Sequence, residues 1–137
     1  MGQSQSIKKV NFEDIQQTIT TNNKYLLINT LKIEEQKCLI KGTISPDKEI
    51  SVINSNLNNT NLRIIIYGKN AADETIYKKY NQLIKLGFYN IYLYPGGVFE
   101  WLLLQDIYGD ENFQTTTSER DILKYKGQSR FHLLLTN

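Results

Sequence analysis

The chain's one thiol, Cys38, and its one imidazole, His132, lie far apart in sequence. Between them runs a segment built like a reaction site. Arg63 to Tyr67 is an apolar run, Gly68-Lys69-Asn70-Ala71-Ala72-Asp73 is a short loop, and an amphipathic stretch follows. Strand, loop and helix in that order can aim backbone N–H groups at one point, where an anion or a bound sulfur is held. Such a cradle does chemistry only with a reactive group inside it. This loop has no Cys, Ser, His or Arg; its single cation is Lys69, and it closes on Asp73. A carboxylate there would repel an anionic substrate rather than bind it.

The other candidates carry competing readings. Cys38 stands beside Leu39 and Ile40 with no His or Arg adjacent in sequence. It is either a relocated sulfur carrier or a small buried hydrophobe, because a thiol without a neighbouring cation keeps its ordinary reactivity. Gly96-Gly97 is either a phosphate cradle or a tight strand-to-helix turn needing positive φ. Trp101 reads as core, and His132, among Phe131 and Leu133 to Leu135, as incidental tail. One cysteine and one histidine are too few for a Cys/His zinc site, and a lone cysteine makes no internal disulfide. No metal and no cofactor are expected.

The elements that would position these groups follow from capping and periodicity. Asn11 reads as an N-cap with Glu13 and Asp14 in the first turn, and Phe12, Ile15 and Ile19 share the buried face of a short helix ending near Thr21. Asn22-Asn23 is a turn. Tyr25–Ile28, Arg63–Tyr67 and Ile91–Tyr94 are continuous apolar runs, as in strands buried on both faces. Residues 48–58 are predicted helical, with Ile50, Val52, Ile53 and Leu57 as apolar positions. Asp73 caps a helix whose face is Ile76, Tyr80, Leu83 and Ile84, with Gly87 at its C-terminal end. Val98–Tyr108 is apolar almost all round and predicts a largely buried helix ended by Gly109. Ser118 and Asp121 have capping-box spacing for a last helix through Tyr125. Alternating strands and helices predict an α/β domain with a mainly parallel central sheet and helices on both faces.

These landmarks, in this order, resemble a rhodanese-like domain. Leu27-Ile28-Asn29-Thr30-Leu31 stands where that family has an apolar-Ile-Asp-apolar-Arg pattern. Leu39-Ile40-Lys41-Gly42-Thr43-Ile44 is similar to its His-Ile-x-Gly-Ala turn, and Leu86-Gly87-Phe88 and Gly96-Gly97 with Trp101 match two later landmarks. The resemblance implies a three-layer rhodanese-like fold over residues 10–109, with a C-terminal extension over 110–137. It also implies that the family's nucleophilic cysteine falls at Gly68 and its loop-closing basic residue near Asp73. Gly68, Lys69, Asn70, Ala71, Ala72 and Asp73 would then be a vestigial active-site loop, with no catalytic residue. The run Tyr94–Gly109 further resembles rhodanese-like proteins of large eukaryotic DNA viruses, which implies a viral protein made in host cytoplasm.

Residues 1–9 read as a flexible leading segment. Met1-Gly2-Gln3-Ser4-Gln5-Ser6 fits the N-myristoylation pattern, with Gly2 as acceptor and Lys8 and Lys9 favouring an anionic membrane surface. At 137 residues the chain suits one core, and its 22% charged share is that of an ordinary globular protein. The net charge of +2 is scattered rather than clustered, so nucleic acid is not an expected partner. No run is long enough to span a bilayer. The expected function is a catalytically inactive rhodanese-like module that binds an unidentified protein partner, in the cytoplasm, peripherally at membranes or in a virion. The alternative is a sulfurtransferase using Cys38.

Overall fold

The computed structural model describes residues 6–21 and 24–131. Its centre is a sheet of four short strands, β1 (Lys8–Lys9), β2 (Leu26–Asn29), β3 (Ile64–Tyr67) and β4 (Ile91–Tyr94). They lie in the order β1-β4-β3-β2, and every pairing is parallel. Ile64, Ile65, Ile66 and Tyr67 are all buried, because β3 has strands on both sides and helices on both faces.

Parallel strands require crossovers, and the helices supply them. Helix α1 (Phe12–Thr20) joins β1 to β2, α2 (Pro46–Ser55) lies between β2 and β3, α3 (Thr75–Lys85) between β3 and β4, and α4 (Gly97–Tyr108) follows β4. On one face Ile15 of α1 and Trp101 and Leu102 of α4 pack with Leu27, Ile65 and Tyr67. On the other, Ile53 of α2 and Ile76 and Leu83 of α3 pack with Ile28, Ile64, Ile66 and Leu93. The expected three-layer α/β arrangement is thus present.

Local chemistry explains where elements start and stop. The Asn11 side chain accepts from the N–H groups of Glu13 and Asp14, while Asp14 accepts from Asn11 N–H, a complete capping box. Gly87 adopts φ +104° after α3, where the Gly87 and Phe88 N–H groups return to Ile84 and Leu83 carbonyls.

Several expectations are corrected. Helix α2 starts earlier, at Pro46, whose fixed φ suits a first turn, and Ile50 and Leu57 are exposed. Ile84 of α3 is also exposed. Helix α4 is fully buried only in its first half, at Gly97, Val98, Trp101 and Leu102, whereas Leu103, Ile107 and Tyr108 are exposed. Ser118 and Asp121 form no capping box: only a 3-10 turn, Ile122–Tyr125, follows. Lys8 and Lys9, read as part of a flexible lead, pair with β4 at the sheet edge, and Val10 N–H extends the ladder to Leu93 O. Residues beyond Gly109 contribute Phe113 and Tyr125 to the same core as Trp101. Gly2, the Asn22-Asn23 turn and His132 lie outside the described residues.

Candidate functional site

The loop after β3 sits at the carboxyl ends of the strands, where open α/β sheets gather ligands. Its own side chains engage several N–H groups of the loop and of the helix start. Lys69 N–H donates to Asp73 Oδ2 at 2.9 Å, Thr75 N–H to Asp73 Oδ1 at 2.9 Å, and Ala72 N–H to Asn70 Oδ1 at 2.9 Å. The Thr75 hydroxyl lies 2.6 Å from Asp73 Oδ1 and 2.7 Å from the Thr30 hydroxyl. Asp73 thus holds one N–H of the loop and the first N–H of α3. It is not the N-cap expected from the sequence, since that position is Glu74, which makes no side-chain cap bond. Burial pushes the Asp73 carboxyl up, but the Thr75 hydroxyl and the Lys69 and Thr75 N–H groups together hold it below its ordinary value.

Gly68 has no spare room. A Cβ built there would stand 2.5 Å from Asp73 Oδ2 and 3.0 Å from the side chains of Ile76 and Thr30. Any side chain at residue 68 would meet the carboxylate first. Lys69, the loop's cation, reaches back to Glu35 with an N···O separation of 2.7 Å. Burial raises the Glu35 carboxyl, but Lys69 and the Lys32 N–H outweigh it and hold it low.

The turn after β4 leans directly on this loop. Val98 and Phe99, the first N–H donors of α4 after Gly97, bond to the carbonyls of Gly68 and Lys69 at 3.0 and 2.9 Å. The loop itself thus satisfies the start of α4, the place where a helix most readily accepts an anion. Of the Gly96-Gly97 pair only Gly97 has positive φ, +68°, and a Cβ on it would lie 2.6 Å from Gly68 O. The pair serves close backbone approach rather than a phosphate cradle. Tyr94 donates to Glu100 Oε2 at 2.5 Å, and burial with that carboxylate pushes its phenol far up, so it stays protonated.

Sequence reasoning missed the third wall. The Asn70 amide donates to Tyr125 O at 2.9 Å, which pins the C-terminal segment over the loop. Thr30, Lys32, Glu35, Lys69, Asp73 and Lys126 are among the residues lining a cleft of about 380 Å³ there. No local signal marks Tyr125 for this role, since its partner is 55 residues away.

Cys38 is elsewhere. It is 2% exposed, packed among Ile40, Tyr67 and Tyr125, and its thiol lies 3.4 Å from Thr117 O. The turn around it is anchored by the buried Tyr67 hydroxyl, which accepts from Ile40 N–H at 3.2 Å and lies 2.6 Å from the Thr43 hydroxyl. Among the described residues no cluster of His, Cys, Asp and Glu is arranged to hold a metal, and no helix is long and apolar enough to cross a membrane.

Similarity to known proteins is structural. A protein of Bacillus halodurans superposes with TM-score 0.63 at 18% identity, over 93% of this chain and 89% of that one. A single-domain sulfurtransferase of Saccharomyces cerevisiae superposes at 0.57 and 16% identity, over 78% of this chain and 98% of the other. A yeast protein tyrosine phosphatase of the rhodanese family gives 0.55 at 12% identity, over 82% and 94%. No family model matches the sequence, and no curated protein matches it. The chain has the rhodanese-like fold.

Proposed function

We propose that this chain is a rhodanese-fold module without sulfur or phosphoryl transfer, acting as a protein-interaction domain. The observation that carries this reading is Asp73: its carboxylate lies against Gly68 and accepts the N–H groups of Lys69 and Thr75. Sulfur transfer needs a thiolate inside a ring of free donors, and phosphoryl transfer by a thiol needs the same ring around a phosphate. Here the donors named above hold an internal anion and the nucleophile position has no side chain. The cleft between the loop and residues 126–128 is the proposed partner-contact site, with Lys69, Asn70 and Lys126 on its walls.

Myristoylation of Gly2 is proposed as the tether, in keeping with the Gly2–Ser6 pattern. One such chain binds membranes only weakly, so a second contact is needed. Host cytoplasm or a virion is the proposed setting, in keeping with the viral resemblance of Tyr94–Gly109.

Purified protein should show no thiosulfate-to-cyanide sulfur transfer and no hydrolysis of p-nitrophenyl phosphate. Turnover abolished by Cys38→Ser would establish the alternative, a relocated sulfur carrier. The thiol of native protein should resist alkylation until the chain is unfolded. Affinity capture of the partner, repeated with Lys69→Glu and Asn70→Trp, should lose it; undiminished binding by the folded variants would move the contact away from this cleft. Intact mass of protein made in a eukaryotic host should show the myristoyl group on Gly2, and Gly2→Ala should abolish it.

A further inference from the structure

Because all four strands run parallel, the residues preceding them gather at one end of the sheet. In that end, segments 6–8, 24–25, 56–63 and 84–90 contain Lys8, Lys24, Arg63 and Lys85 and neither Asp nor Glu, although Glu111 lines a groove with Ile19 and Thr20 in the last turn of α1. All four cations are exposed, and none forms an ion pair among the described residues. The opposite end is acidic only on balance: the segments after the strands, through the first turn of each following helix, carry Glu13, Asp14, Glu34, Glu35, Asp47, Glu49, Asp73, Glu74 and Glu100 against Lys32, Lys37, Lys41, Lys48, Lys69 and Lys78, and Lys126 lines the cleft there. The net charge of +2 is thus unevenly spread along the strand axis.

The basic end is also apolar at its tips. Ile7, Leu57, Leu86 and Tyr89 are 37%, 42%, 49% and 55% exposed there, interleaved with uncharged Asn58, Asn59 and Asn61. The two loops that carry Leu57 and Leu86 touch, since Asn90 donates to Asn61 O and a Cβ on Gly87 would meet Thr60 at 3.4 Å. Across the sheet the cations and rings form a continuous row. Lys8 Nζ lies over Tyr92 at 5.4 Å, Tyr92 meets Tyr25 edge-on at 6.0 Å, and Arg63 lies over Tyr25 at 5.6 Å. Asp14 shares a side groove with Tyr25 and Tyr92, but its carboxylate is held by Asn11 N–H. The acidic end also exposes an apolar side chain, Ile33, yet beside Glu34 and Glu35.

We propose that this strand-start end is a docking face for an anionic lipid bilayer. Basic residues at a membrane surface are drawn to anionic headgroups, while exposed leucine, isoleucine and tyrosine enter the headgroup boundary. Nucleic acid would use the cations but leave the apolar tips in water, which is why lipid is the better occupant. The same end receives the chain at Ser6 and Ile7 just before β1, so a lipid on Gly2 and this face would act on one membrane. The acidic end, with the loop and its cleft, would then face away, open to a protein partner. This deepens the tethering reading above and is testable without it.

The test is sedimentation of the full chain with phosphatidylserine-rich and with pure phosphatidylcholine vesicles. Unacylated Gly2→Ala protein should bind the former, not the latter, and release in high salt. Lys24→Glu with Lys85→Glu should weaken that binding by at least about tenfold, while Lys37→Glu with Lys48→Glu leaves it unchanged. Failure of the Gly2→Ala chain to bind, equal binding to both lipids, or indifference to the Lys24 and Lys85 changes would overturn the face, even if acylated protein still binds through its anchor. Salt-sensitive binding by the Gly2→Ala chain, with an unmodified native N-terminus, would uphold the face and remove only the anchor. Retention on a DNA oligonucleotide at salt that releases vesicles would also overturn it.

Discussion

Cys38 and Gly68 divide between them what a sulfur carrier needs in one place. Cys38 has the thiol but is buried in the core, with its sulfur 3.4 Å from a carbonyl oxygen. Gly68 stands at the carboxyl end of β3, beside the Lys69 N–H that Asp73 holds, but has no side chain. The difference teaches that N–H groups in a strand-to-helix loop without a reactive side chain still need acceptors of their own. Buried or clustered N–H groups without partners are costly, and Asp73 is the substitute the sequence supplies. The fold keeps the shape of the loop by filling it.

That account can be broken most severely at the turn that braces the loop. Gly97→Ala would place a methyl group 2.6 Å from Gly68 O at φ +68°, against backbone rather than a movable side chain. It should cost about 2–4 kcal/mol in denaturant unfolding. Tyr67→Phe attacks the other half of the comparison, since it leaves Ile40 N–H without its buried acceptor in the turn beside Cys38. About 1–3 kcal/mol should be lost.

Asp73→Asn sharpens the claim that the charge matters. It should cost about 1 kcal/mol near neutral pH, the difference between hydrogen bonds to a charged and to a neutral acceptor. Because the Asp73 carboxyl is held below its ordinary value of 3.8 when folded, its contribution is complete above that value. It is lost as pH falls through the lower folded value. The stability gap between wild type and Asp73→Asn should therefore narrow as the solution is acidified below about pH 4. A gap constant with pH would show that the carboxylate charge is not what the loop N–H groups hold. The smallest effect is expected from Lys69→Met, which removes the Glu35 ion pair at a partly exposed site. It should change stability by about 0.2–1 kcal/mol, and less at high salt.

The two halves of the comparison were not equally legible in the sequence. β3, β4 and the α1 cap were readable because a continuous apolar run and an Asn-Phe-Glu-Asp start are local signals. The placing of the family's nucleophile at Gly68 rests on the resemblance alone. What meets that position was not legible: Asp73 was read as a cap and as a repelling charge. That its two oxygens bridge Lys69 and Thr75 depends on loop geometry. Helix faces failed where hydrophobicity had no period. Leu103, Ile107 and Tyr108 look as buried as Leu102 in sequence, yet they are exposed and Leu102 is not. The lid from Tyr125 was illegible because it rests on an amide-to-carbonyl bond between distant segments.

The central claim is that Asp73, rather than the missing thiol alone, closes the cradle. The most direct measurement is mass spectrometry after thiosulfate treatment of Gly68→Cys and of Gly68→Cys with Asp73→Ser. In that reaction the new thiolate attacks the outer sulfur of thiosulfate, a S–S bond forms, and sulfite leaves. The account predicts a persulfide at residue 68 in the double variant and none in the single one, where the carboxylate still lies 2.5 Å from the added Cβ. A persulfide of equal yield in Gly68→Cys alone would contradict it.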